Sequence, residues 1–116
     1  AKLLSNGIRK LHGLTVPYVD KDVKPVVHQY VVKVEDTYPR SRDALADHLT
    51  EKGVGVAVHY PIPIYRQPLY LKLGYGGTMC PNTEEACRRV LSLPVHPLVD
   101  KKDIEYILDV LESLDL

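Results

Sequence analysis

The sequence predicts an α+β fold, a small sheet with helices packed on it. Apolar residues recur at helical spacing near both ends of the chain, and β-branched runs between them read as strands. The predicted order is helix, strand, helix, strand, loop, helix, short strand, helix. A chain of 116 residues suits a single domain spanning 1–116 with one modest core.

Leu3, Leu4, Ile8 and Leu11 repeat at helical spacing before Gly13, a helix stop. "LTVPYVDKDVKPV" reads as a polar connector interrupted by Pro17 and Pro25. The run "VVHQYVVKVE", Val26 to Glu35, is the clearest strand, rich in β-branched and aromatic side chains. Ser41 is a good N-cap for the next helix, in which Ala44, Leu45, His48 and Leu49 share a face and Gly53 supplies the left-handed stop. Val54, Val56 and Val58 alternate with Gly55 and Ala57, which predicts a short strand with one bulky and one small face.

Pro61, Pro63 and Pro68 forbid regular ladder bonding downstream, so "HYPIPIYRQPLYLKLGYGG" is expected to be loop with one helical turn near Leu69 to Leu73. Asn82 and Glu85 stand in the N-cap and N3 relation of a capping box, predicting a helix from Thr83 to about Val90. "LSLPV" reads as a brief strand. Asp100 then caps a last helix whose Ile104, Ile107, Leu108, Leu111 and Leu114 form an apolar stripe.

Composition narrows the function. Fifteen Lys and Arg balance fifteen Asp and Glu, so the basic footprint of a nucleic-acid binder is missing. No apolar run approaches the roughly 20 residues of a membrane helix. Two cysteines, Cys80 and Cys87, are too few for a disulfide scaffold, which points to a reducing compartment and a cytoplasmic protein. The chain opens at Ala1 as though inside a helix, and the expectation is a piece of a longer protein.

None of the five histidines shows the close pairing that zinc uses, so no metal site is expected. His12, His28 and His48 read as ordinary hydrogen-bonded imidazoles, and His96 sits between Pro94 and Pro97. His59 differs in standing where a strand ends and a proline-braced loop begins, the position where scaffolded binding groups concentrate. Tyr60, Tyr65, Arg66 and Tyr70 follow closely, a phenol-and-guanidinium surface suited to sugar hydroxyls, aromatic rings or a phosphate. Residue chemistry leaves open whether these side chains bind a ligand or pack the loop down. Cys80 and Cys87 are seven residues apart, unlike a Cys-x-x-Cys redox pair, and read as small hydrophobes. Arg88 and Arg89 read as a solvated helix face. "GYGG" lacks the strand and helix context of a phosphate loop.

Taken in order, "GLTVPYV", "HQYVVKV", "RDALADHLTEKGVGVAVHYPIPIYRQPLY" and "CPNTEEACRRVLSLPVHPLVDKKDIEYILDVL" resemble the C-terminal region of the DegT/DnrJ/StrS group of pyridoxal-phosphate aminotransferases, which act on nucleotide-linked sugars. The resemblance implies the C-terminal small domain of a fold-type I enzyme. The large N-terminal domain, with the cofactor and its Schiff-base lysine, would lie outside this chain, which alone is expected to hold no catalytic residue, bind no cofactor and be inactive. The family moves an amino group from an amino-acid donor, usually glutamate, to a keto sugar, in homodimers whose C-terminal domain closes over the active-site cleft. On that resemblance His59 and Tyr60 carry over as substrate-side residues, and Arg66 and Tyr70 with them. The family often has His or Leu where this chain has Tyr65 and Arg66, which implies a different sugar or nucleotide. The alternative expectation is a stand-alone regulatory or small-ligand-binding module.

Overall fold

The computed structural model describes residues 1–114. Its helices are α1 (Lys2–Ile8), α2 (Arg42–Glu51), α3 (Pro68–Lys72), α4 (Pro81–Arg89) and α5 (Lys101–Glu112), and its strands are β1 (Leu14–Thr15), β2 (Tyr30–Val34) and β3 (Val90–Leu93). The sheet order is β1-β2-β3, antiparallel throughout, with Leu14 opposite Val34, Tyr30 opposite Leu93 and Val32 opposite Leu91. Tyr30, Val32 and Val34 alternate inward along the central strand. With Leu4 and Ile8 of α1, Leu45 and Leu49 of α2, Leu91 of β3 and Leu111 of α5, they make one continuous core. Tyr38 ties the end of that layer to the last helix by donating its hydroxyl hydrogen to the Leu111 carbonyl at 3.0 Å.

The α+β fold and the helix order are as the sequence predicts, while several boundaries move for physical reasons. β2 begins at Tyr30, not Val26, because residues 26–29 have no neighbouring strand to pair with; Val26 is 90% exposed. The segment 54–58 is not a strand. Ala57 forms a single bridge to Ser92, and the rest of the segment finds no ladder partner before the prolines intervene. The expected connector after Gly13 hides β1, two residues long, which exists only by pairing with β2.

Helix α4 opens at Pro81, one residue after Cys80, so Asn82 and Glu85 do not form the expected capping box. Proline at the first helical position presets φ and has no N–H to be capped. The helix ends at Arg89, and the chain passes straight into β3 at Val90. A capping box does occur at α5: Asp103 N–H donates to Asp100 Oδ1 and Asp100 N–H donates to Asp103 Oδ2, each at 3.0 Å. Ser41 caps α2 as expected, accepting from Ala44 N–H at 3.3 Å. Among the described residues no helix is long and apolar enough to cross a membrane.

Candidate functional site

The bridge between Ala57 and Ser92 fixes where the chain leaves the sheet, and His59 follows two residues later. Its Nδ1 lies 3.3 Å from Gln29 Nε2 and 3.4 Å from Ser92 Oγ. Tyr60 stands edge-on to the imidazole, with ring centroids 5.6 Å apart and planes at 89°. Tyr60 is otherwise open to solvent, 70% exposed. Pro61 and Pro63 restrict the backbone that follows, and Pro63 is buried.

Beyond the prolines, Tyr65 anchors the loop. It is 7% exposed, donates its hydroxyl hydrogen to Glu84 Oε1 at 2.8 Å and accepts from Cys80 N–H at 3.2 Å. Burial and the Glu84 carboxylate both push the Tyr65 phenol up, while the hydrogen bond from Tyr65, helped by Arg66, holds Glu84 below the usual carboxylate range. Arg66 lies over the Tyr65 ring at 5.7 Å and reaches Glu84 at 3.5 Å. Tyr65 thereby sews the loop to the first turn of α4, the packing role that residue chemistry had left open.

This places His59 and Tyr60 along one wall of a groove of about 340 Å³ whose other wall is Asn82, Thr83, Ala86 and Cys87 of α4. The structure brings His59 and Tyr60 together. Arg66 and Tyr70 are not in that lining: Arg66 is engaged with Tyr65 and Glu84, and Tyr70, on α3, packs edge-on against Tyr75 at 5.9 Å. Sequence reasoning missed Gln29 and Ser92 behind the His59 ring, and Asn82 and Thr83 in the groove. A signal existed for Ser92, a lone polar residue in the apolar run "VLSL", and for Asn82, which Pro81 leaves without a capping role.

A larger groove, about 610 Å³, lies between residues 34–43 and Arg88 and Arg89. Its most buried cation is already committed. Arg42, 8% exposed, bonds Asp43 at 2.6 Å and donates from Nη1 to the Cys87 and Val90 carbonyls, both at 3.0 Å. Arg89 bonds Glu35 at 2.8 Å and Asp36, so it is not the solvated residue the sequence suggested, whereas Arg88 is exposed. Burial opposes ionisation of Glu35, but Thr15, Lys33 and Arg89 hold its carboxyl below the usual range. This groove is a structural clasp on the end of α4.

The remaining candidates resolve individually. Among the described residues no cluster of three or more His, Cys, Asp or Glu is placed to hold a metal. His48 departs from the expected bonded imidazole, since its Nε2 is buried without a hydrogen-bond partner. Both thiols are free; Cys87 is buried as a small hydrophobe, but Cys80 is exposed.

Fold and groove together define a class: the chain has the α+β fold found in fold-type I aminotransferases. It superposes on Streptomyces venezuelae DesV, solved in complex with a ketimine intermediate, with a TM-score of 0.84 and 28% identity over 97% of this chain and 29% of that one. It is 30% identical to the dTDP-3-amino-3,4,6-trideoxy-alpha-D-glucose transaminase of Streptomyces venezuelae over 108 residues, 93% of this chain and 27% of that protein. It is 33% identical to a pleiotropic regulatory protein of Geobacillus stearothermophilus over 84 residues, 72% of this chain and 21% of that protein. The family is narrower than the class. Residues 1–112 match the DegT/DnrJ/EryC1/StrS aminotransferase family, and the chain belongs to it. It spans under a third of the length of these relatives.

Proposed function

We propose that this chain is the C-terminal small domain of a pyridoxal-phosphate-dependent aminotransferase that moves an amino group from an amino acid, glutamate by preference, to a nucleotide-linked keto sugar. Its own contribution is substrate contact through His59 and Tyr60. The observation that carries the proposal is the family match over residues 1–112, joined to a groove in which those two side chains are held by a proline-braced loop sewn to α4.

The groove lining holds no lysine, so this part of the site lacks the covalent anchor that pyridoxal phosphate requires. Substrate contact, and not the covalent anchoring of the cofactor, is the role assigned to this lining. What they offer is polar and aromatic contact. The imidazole, the Tyr60 hydroxyl and the Asn82 and Thr83 side chains are hydrogen-bonding groups of the kind that orient a sugar or a phosphate. Arg66 and Tyr70 stand outside the lining, and we assign them to holding and shaping the loop.

Several observations support a domain that works inside a larger, dimeric enzyme. The loop exposes Ile62, Ile64, Leu69, Leu71 and Leu73, an apolar surface suited to packing against further protein. Free thiols accord with a cytoplasmic protein.

The test is substitution of His59 and Tyr60 by Ala in the full-length enzyme. Each is expected to raise KM for the nucleotide sugar roughly tenfold, the loss of about one hydrogen bond to substrate, with the amino-donor KM unchanged. Unchanged sugar kinetics would make both residues structural. The likeness to a pleiotropic regulatory protein favours a second reading, a regulatory ligand-binding module. Reading the genomic frame upstream of Ala1 separates the two: a large α/β domain with a cofactor lysine supports the aminotransferase, and a stop codon supports the module.

A further inference from the structure

Two side chains meet the same nitrogen of the His59 ring. Gln29, one residue before β2, sets its amide Nε2 3.3 Å from His59 Nδ1. As oriented, the Gln29 amide presents to the ring its nitrogen, which donates and does not accept, and this favours a bare Nδ1. Ser92 of β3 meets the same nitrogen from the sheet side. It is 8% exposed, and its hydroxyl meets Nδ1 at 3.4 Å. A hydroxyl donates or accepts, so Ser92 serves either tautomer and leaves the choice to Gln29; with Nδ1 protonated, the Gln29 amide hydrogen would face another hydrogen.

We infer that Gln29 is the positioning residue that holds His59 as its Nε2–H tautomer, with Ser92 accommodating it, so that His59, in the groove lining, offers a hydrogen-bond donor and not a lone pair. The ring nitrogens lie on different edges of the imidazole, so Nε2 sits on the edge turned away from Gln29 and β3. Tyr60 packs edge-on against the ring at 5.6 Å. The ligand group that meets Nε2–H must therefore be an acceptor oxygen: a carboxylate, phosphate, carbonyl or ether oxygen satisfies it, and an ammonium does not. His59 in this state cannot take a proton from substrate at Nε2, so its role is orientation. The consequence for substrate rests on the proposed reading of the groove; the tautomer does not.

The experiment is long-range 1H–15N correlation on protein labelled with 15N-histidine, which separates protonated, pyrrole-type ring nitrogens from bare, pyridine-type ones. The expected result is a pyrrole-type Nε2 and a pyridine-type Nδ1 for His59, assigned by its absence in His59→Ala. Gln29→Glu replaces a donor by an acceptor of the same shape at a partly exposed position, and is expected to draw the proton to Nδ1. Gln29→Leu offers neither, and is expected to leave a mixture of tautomers. A protonated Nδ1 in the unsubstituted protein overturns the inference, and so does a Gln29→Glu spectrum identical to it. Sugar kinetics of His59→Ala that do not change, alongside the expected spectra, remove the substrate reading and leave the tautomer assignment standing.

Discussion

Gly13 and Gly53 offer a matched pair for measuring what the turn before β1 demands. Both lie in the left-handed region, at φ +78° and +77°. A Cβ on Gly53 would meet nothing within 4 Å, whereas a Cβ on Gly13 would stand 2.4 Å from the Tyr38 backbone nitrogen and 2.6 Å from its Cα. Gly53→Ala therefore carries only the conformational penalty, about 1–2 kcal/mol. Gly13→Ala carries that penalty plus an overlap with backbone, which cannot rotate aside as a side chain does, and overpacking of this kind adds about 1–3 kcal/mol. The sum for Gly13 is about 2–5 kcal/mol. A domain of this size has a total stability on the order of 5–15 kcal/mol, so the variant is expected to be severely weakened but measurable.

The overlap matters beyond the turn because Gly13 accepts from Glu35 N–H at 2.8 Å and Tyr38 carries the bond to Leu111, so the strain falls where β1, β2 and α5 are joined. Urea unfolding of the two variants and the parent, followed by circular dichroism, reads both penalties from the midpoints at constant m. The expected difference between the variants is at least about 1 kcal/mol. Equal destabilisation would refute the claim that close approach of Tyr38, and not φ alone, requires glycine at position 13.

Other variants probe the loop anchor and the clasp. Tyr65→Phe removes the bonds to Glu84 and Cys80 without changing shape. Because Glu84 is held below its unfolded value, the stability it contributes is present at neutral pH and is lost as pH falls through the folded value, so Tyr65→Phe is expected to cost more at pH 7 than at pH 3 by urea unfolding; a pH-independent difference argues against the bond. Arg42→Met leaves the Cys87 and Val90 carbonyls without their donor and is expected to cost about 2–3 kcal/mol in the same assay, whereas a neutral substitution would show the clasp to be incidental. Maleimide labelling followed by mass spectrometry is expected to modify Cys80 in the folded protein and Cys87 only after unfolding, and rapid labelling of both would contradict the burial of Cys87.

What was legible in the sequence is what a local pattern suffices to build. The stripe of Ile104, Ile107, Leu108 and Leu111 specifies α5 because helix hydrogen bonds close within the segment. Strands have no such closure. Leu14 and Thr15 carry no strand signature and become β1 only because Val34 and Lys33 offer a free edge, while Val54 to Val58 alternate correctly and stay unladdered because only Ala57 finds a partner.

The same distinction runs through the site. The place of His59 and Tyr60 in the groove lining follows from a loop boundary that prolines announce, but Arg66 and Tyr70, close by in sequence, are turned elsewhere by a short 3₁₀ turn and by α3. Gln29 and Ser92, which carry the least chemical signal of the group, lie 30 and 33 residues from His59 and reach it only in the folded chain. A neutral amide and a hydroxyl announce nothing about catalysis or binding on their own. Placed behind an imidazole the amide bears on its tautomer, and the tautomer decides whether the ring meets a ligand with a hydrogen or with a lone pair. The placement of His59 at a loop boundary is thus local information, while the surroundings of its ring belong to the fold, which sets Ser92 beside Ala57 and Gln29 across from them.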